Sequence, residues 1–249
     1  MIPAVAFLFG LVIGSFLNVV IHRVPLRQSI VWPSSKCPNC EEPIKSFDNL
    51  PVLSYLILRG RCRNCKTRIS PRYPLVEVLT GVLFALAGYE FGLSLDLVWA
   101  LVLISVLVAL AGTDLEHWLL PNVIVGPAAV VGFGLSVARD PGGWWIYLVS
   151  AVAVAAVLFA LALARPGGMG MGDVKMGGML GAFLGPYAAL AVFVGALVGA
   201  LAGGVLMVFG RMQRRTALPF GVFLALAGIF TLFLGQEVWQ WYWRLIGVS

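Results

Sequence analysis

The sequence predicts an all-α polytopic membrane protein, with about eight transmembrane helices and one aqueous insert after the first. Three observations carry this. Hydrophobic residues make up 60% of the 249 and charged residues 11%, too few to build an ordinary water-facing surface. Several apolar stretches reach the roughly 20 residues that a membrane helix needs. Residues 22–73 hold all four cysteines and ten of the seventeen Lys and Arg. The expected division is therefore 1–21 as the first transmembrane helix, 22–73 as a cytoplasmic four-cysteine zinc-binding insert and 74–249 as a multi-span core.

Pro3 to Ile21 lacks a basic n-region and a small-residue cleavage site before Asn18, so it reads as a retained span and not as a signal peptide. Further apolar runs lie near Leu75–Gly92, Leu95–Gly112, Val123–Ala138, Trp144–Ala164, Pro186–Gly210 and Leu218–Gly235. Hydropathy alone thus gives seven spans. Charge asks for an eighth. The basic insert belongs in the cytoplasm. Seven spans counted from there would leave Arg211, Arg214 and Arg215 outside. If Val174–Gly185 crosses as a short helix and Pro186 turns the chain, only Arg139 and Arg244 lie outside. Both termini then face outward. A re-entrant loop at 174–185 is the competing reading. The net charge of +6 sits mainly beside the membrane, where it points to lipid headgroups and not to nucleic acid.

The insert carries "CPNC" (Cys37, Cys40) and "CRNC" (Cys62, Cys65). Four thiolates in two close pairs can wrap a tetrahedral zinc ion, which makes this a zinc-ribbon-like module. Two disulfides or a redox pair are the alternatives, and a reducing cytoplasm weighs against disulfides. Such a site would be structural, because four cysteines leave no position for water. About fifty residues bury little core, so a metal staple is physically sensible.

Seven of the eleven acidic residues sit in the insert or at outer span ends. Glu77, Asp114, Glu116 and Asp173 remain near the inner boundary. Asp114 closes a span in "GTDLEHWLLPN" and Asp173 opens the short one in "GMGDVK". An ionisable group at membrane depth is costly and is a functional hypothesis by default. Two facing carboxylates cannot both ionise easily, so one keeps a proton while the other activates water. That is the machinery of aspartic proteolysis. The bland reading makes Asp114 a span-end cap and has Asp173 cap the next helix while pairing with Lys175. Gly170 and Gly172 leave the backbone before the acid bare, so an extended peptide could pair with it. Lys175, two residues on, is expected to support substrate or tune the acid pair. Glu116 faces away from Asp114 on a helix, and Trp239, Trp241, Tyr242 and Trp243 read as an outer aromatic anchor. Intramembrane carboxylates would also suit an ion transporter, but these cluster at one face and not at the midplane where transporter sites lie.

At these residues the chain resembles the bacterial type IV prepilin peptidases, membrane aspartic proteases of the GxGD class. The resemblance rests on "GSFLNVVIHRVP" (Gly14–Pro25), the two CxxC pairs, "LRGRCRNC" (Leu58–Cys65), "ISPRYPLVE" (Ile69–Glu77), "DLEHWLLPN" (Asp114–Asn122), "GMGDVK" (Gly170–Lys175) and "LPFGVFLAL" (Leu218–Leu226). Asn122 stands where that family commonly has Asp, and Val222 where it usually has Pro or Ala. The resemblance implies Asp114 and Asp173 as catalytic acids at the cytoplasmic face of a bacterial inner membrane. It implies prepilins or type II secretion pseudopilins as substrates, cleaved after a Gly. It also implies N-methylation of the new terminus with S-adenosylmethionine, for which Arg72, Tyr73 and Glu77 are the candidate residues.

Overall fold

A computed structural model describes residues 1–164, 169–209, 218–245 and 247. Arg211, Arg214, Arg215 and Gly167, which bear on the charge and glycine patterns of the sequence, lie outside the described residues. The chain forms two compact units, Met1–Leu97 and Val98–Ser249. Among the described residues, regular structure is helical apart from two isolated β-bridges.

In the first unit, α1 (Ile2–Arg23) pairs with α3 (Arg72–Glu90). Glycine lets them close. A Cβ at Gly10 would meet the Gly81 Cα at 2.8 Å, and one at Gly14 would meet the Glu77 Cα at 2.7 Å. Small residues at helix crossings are how membrane helices gain van der Waals contact where water gives no drive. Gly88 near the end of α3 faces Ala6 and Ile2 at the start of α1, so the two run antiparallel. The insert between them contains the short α2 (Leu53–Ile57), which lies inside the apolar stretch of the insert.

The second unit holds all but the first three residues of α4 (Leu95–His117), and α5 (Asn122–Arg139), α6 (Trp144–Ala164), α7 (Met171–Leu184), α8 (Ala188–Val208) and α9 (Phe220–Leu245). Among the described residues, six stretches are long and apolar enough to cross a membrane: α1, α4, α5, Pro141–Ala164, Met171–Val208 and α9. This is a multi-pass membrane protein.

Met171–Val208 is two helices, and α7 is the centre of the unit. Ten of its fourteen residues are buried. Gly181 lies on α6, where a Cβ would meet the Ala151 Cα at 2.5 Å. Gly228 of α9 lies against both Leu107 of α4 and Leu180 of α7. Ser136 of α5 donates to the Phe183 carbonyl (3.1 Å) and receives the Trp99 indole N–H (3.2 Å), tying the ends of α4, α5 and α7 together.

These contacts sort the unit into two levels. Asp114, Leu120, Asn122, Asp173 and Gly221 lie at one, and Trp99, Ser136, Phe183, Tyr187 and Trp239 lie at the other. Gly185 takes φ +57°, a left-handed turn natural to glycine, and Pro186 follows it. The chain then returns in α8, whose Gly195, Gly199 and Gly203 meet Leu224, Phe223 and Leu218 of α9 in antiparallel order. The 14-residue α7 spans about 21 Å at 1.5 Å per residue, so it is short for a bilayer and depends on its neighbours. The last span is longer than hydropathy alone suggests. The apolar run ends near Gly235, whereas α9 continues to Leu245. Its final turns carry the aromatic anchor, with Trp239 edge-on to Tyr187 at 5.9 Å and to Trp243 at 5.8 Å.

Candidate active site and metal centre

Asp114 stands in the last turn of α4. That helix stops because Trp118 takes φ +54° while its N–H still bonds to the Asp114 carbonyl at 3.0 Å. Asp114 is 6% exposed, and its carboxylate accepts the Val222 N–H at 3.1 Å, with the Gly221 N–H beside it. Both donors lie in the first turn of α9, where backbone N–H groups lack an i−4 helical partner and favour an anion, and the Val222 N–H is shared with the Pro219 carbonyl at 3.3 Å.

Asp173 is 8% exposed and stands in the first turn of α7. Its Oδ2 accepts the Gly170 N–H at 3.0 Å, and its own N–H donates to the Gly170 carbonyl at 3.1 Å. It therefore does cap its helix, as the bland reading held. Asp114 is nonetheless its electrostatic neighbour. Leu120, between α4 and α5, joins the two acids: Cβ atoms placed on Gly172 and on Gly221 would each meet its side chain at 3.0 Å. Gly172 thus has a packing reason to be glycine, while Gly170 is exposed with extended backbone, φ −83° and ψ 150°.

The Lys175 ammonium is exposed and donates to Asn122 Oδ1 at 2.9 Å, so its hydrogen bond goes to the start of α5 and not to an aspartate. Glu116 is half-buried and lies 3.8 Å from the His117 imidazole. Four helix ends therefore meet around two carboxylates, each fixed by backbone N–H groups. Residue type marks the acids. It does not mark Leu120, Gly221 or Val222, whose roles come only from being brought beside them.

In the first unit the four Sγ atoms lie within 4.8 Å of one another. Cys37 and Cys65 are 3.8 Å apart and Cys40 and Cys62 are 4.0 Å apart, so all four are free thiols. Tetrahedral zinc with Zn–S near 2.3 Å demands sulfurs about 3.8 Å apart, so the donor set fits that ion. The thiol pKa values are pushed apart: the Thr67 N–H pulls Cys65 down to about 6 and the Cys40 N–H lowers Cys37, while burial and the neighbouring Cys37 and Cys65 push Cys40 up to about 11. The knuckles are a structural repeat. Cys37 N–H bonds to the Glu42 carbonyl and Cys62 N–H to the Thr67 carbonyl, with a positive φ at Glu41 and at Lys66.

Of the three residues expected near a cofactor, Glu77 is 8% exposed and accepts the Val52 N–H at 2.7 Å, with Ser15 as a second partner. It staples α3 to the insert. Arg72 stacks on the Tyr73 ring at 5.0 Å. Asn18, 3% exposed, donates to the Tyr73 carbonyl at 3.0 Å while its Oδ1 has no hydrogen-bond partner among the described residues.

Comparison with known proteins matches both units. The Bacterial Peptidase A24 N-terminal domain matches residues 8–91, and the Type IV leader peptidase family matches residues 101–209. A prepilin leader peptidase/N-methyltransferase of Myxococcus xanthus is 44% identical over 84% of this chain, which spans 65% of that protein's length. The protein of the same name in Bacillus subtilis is 35% identical over 97% of this chain and 98% of its own. One in Aeromonas hydrophila is 36% identical over 96% and 93%. No solved structure matches.

Proposed function

The chain belongs to the type IV leader peptidase family, and from that premise we propose that it is a membrane aspartic endopeptidase and N-methyltransferase acting on type IV prepilins or type II secretion pseudopilins. The observation that carries the peptidase reading is the meeting of Asp114 and Asp173 at one level of the bundle, each carboxylate fixed by backbone N–H groups.

The pair shares one proton. The ionised acid accepts a proton from water, which attacks the scissile carbonyl, and the protonated acid hydrogen-bonds the carbonyl oxygen. The proton then passes to the leaving amine. Exposed Gly170, with no side chain, leaves room beside Asp173 for a substrate strand to approach. Lys175 and Asn122 brace the starts of α7 and α5 at the mouth.

We read α1 and α3 to α9 as eight crossings. Cations fit this: Lys175 stands at the level of the acids and Arg139, over the Trp99 ring, at the other. The acid level then faces the cytoplasm of a bacterial inner membrane.

S-adenosylmethionine, when bound, supplies the methyl group for the amine that cleavage exposes. The unsatisfied Asn18 Oδ1 suits an ammonium and the Arg72 guanidinium a carboxylate, the two charges of that cofactor's amino-acid end. Glu77 would hold the insert's backbone beside them. Zinc would be held by Cys37, Cys40, Cys62 and Cys65 and would fold the insert.

The test is incubation of the purified protein with a prepilin in detergent. Leader release at a defined Gly bond supports the reading, and an intact substrate that is never cut sinks it. In the same assay Asn18→Ala should keep cleavage and lose labelled-methyl transfer. Undiminished methylation removes Asn18 from the cofactor site.

A further inference from the structure

The insert is the same knuckle built twice, with opposite electrostatics. "KCPNCEEPI" (Lys36–Ile44) and "RCRNCKTRI" (Arg61–Ile69) align residue for residue. Their backbones align too: Lys36 bridges Pro43 and Arg61 bridges Arg68, while Ile44 N–H bonds to the Ser35 carbonyl and Ile69 N–H to the Gly60 carbonyl. The first knuckle carries its own acids, and Lys36 pairs with Glu41 at 3.1 Å. The second has Lys66, Thr67 and Arg68 where the first has Glu41, Glu42 and Pro43. Arg61 and Arg68 therefore stand directly opposite each other across a bridge, a placement that is unfavourable for like charges. Asp48 cannot relieve them, since it takes Arg63 in a two-pronged bond at 2.7 and 2.8 Å.

A cavity of about 560 Å³ opens there, lined by Tyr55, Arg59, Gly60, Arg61, Arg68 and Ser70. A second hollow of about 410 Å³ shares Arg59 and Arg61 with it. The chain bends into this cavity through two consecutive left-handed residues, Arg59 at φ +52° and Gly60 at φ +65°. Its wall ends at Pro71, one residue before α3 begins. On α2 beside it, Leu56 and Ile57 are 63% and 73% exposed.

We infer that the second knuckle is a binding site for the headgroup of an anionic phospholipid, with Arg59, Arg61 and Arg68 on the phosphate and Leu56 and Ile57 against the acyl region. Three arginines lining one hollow call for an anion, and Arg suits phosphate through its planar fork. The apolar shelf and the tether to α3 select the lipid over a soluble anion. Like charge repels a basic peptide from this surface. The inference stands apart from the peptidase reading, because it uses no residue of the acid pair.

Hydrogen exchange of the full-length protein in lipid nanodiscs tests it. Amides of residues 55–71 should exchange at least about fivefold more slowly in discs containing phosphatidylglycerol than in pure phosphatidylcholine. Arg61→Gln/Arg68→Gln should abolish the difference while zinc, measured by mass spectrometry, stays bound. Lys36→Gln on the first knuckle should leave it intact. If the double variant loses zinc, Arg59→Gln, which lies outside the knuckle, must itself weaken the protection. Equal exchange in both discs overturns the inference. So does protection that survives these substitutions, or equal protection by inorganic phosphate in phosphatidylcholine discs.

Discussion

The four-cysteine insert and the aspartate pair each gather chemical groups into a small space, by opposite means. The four thiols come from 29 consecutive positions, and each pair is held by the backbone of one tight knuckle. The two acids come from helix ends far apart in the chain and meet only because α4, α7 and α9 close on glycine. Local encoding makes the thiol cluster independent of the packing of distant helices but leaves it with almost no core. Global encoding gives the acids buried, preorganised positions but exposes them to any change in helix approach. The two regions should therefore fail differently.

The largest effect should come from Cys62→Ser. Structural zinc is worth about 10–16 kcal/mol in small peptides at neutral pH, and this change should release the ion and open residues 37–65 to protease. Helix content by circular dichroism should stay nearly unchanged. A matching collapse of the membrane helices would erase the contrast.

Gly181→Val strikes the other region. Its Cβ would meet the Ala151 backbone at 2.5 Å, where nothing flexible can yield, so overpacking of about 1–3 kcal/mol is expected. The thermal unfolding temperature in detergent should fall, and cleavage with it, since Asp173 rides on α7. Zinc content should not change.

Gly221→Ala is finer. The new methyl would meet Asp114 Oδ2 at 2.8 Å. A displaced acid of this kind costs on the order of 100-fold in turnover. Single-turnover cleavage should fall by that much with the melting temperature nearly kept, and normal turnover would dissociate Gly221 from the site.

Asn122→Asp should do least. It turns the exposed Lys175 hydrogen bond into a surface ion pair, worth about 0–1 kcal/mol. Melting temperature and cleavage should both move little, and a tenfold change in turnover would give the Lys175–Asn122 brace a larger role than its exposure allows.

The same contrast explains what is legible in the sequence. Cysteine spacing locates the four-thiol cluster because every member is local. Hydropathy finds α1, α4, α5 and α6, since membrane helices must be apolar along their length. The short α7 is visible only through charge placement and Pro186. The last turns of α9 are hidden because Gln236, Glu237 and Gln240 interrupt the apolar run while aromatic packing keeps the helix going. Residue chemistry singles out Asp114 and Asp173 but cannot reach Leu120, Val222 or the Asn122 partner of Lys175. Those contacts exist only once distant helix ends are side by side.

The central claim is that Asp114 and Asp173 act as one unit. A double-mutant cycle tests it most directly, with prepilin cleavage measured for Asp114→Asn, Asp173→Asn and the double variant. Residues sharing one proton are grossly non-additive. Each single substitution should abolish nearly all cleavage, by about 100-fold or more, and the double variant should be no worse than either. Losses that multiply, or one single variant that cleaves at the wild-type rate, would contradict it.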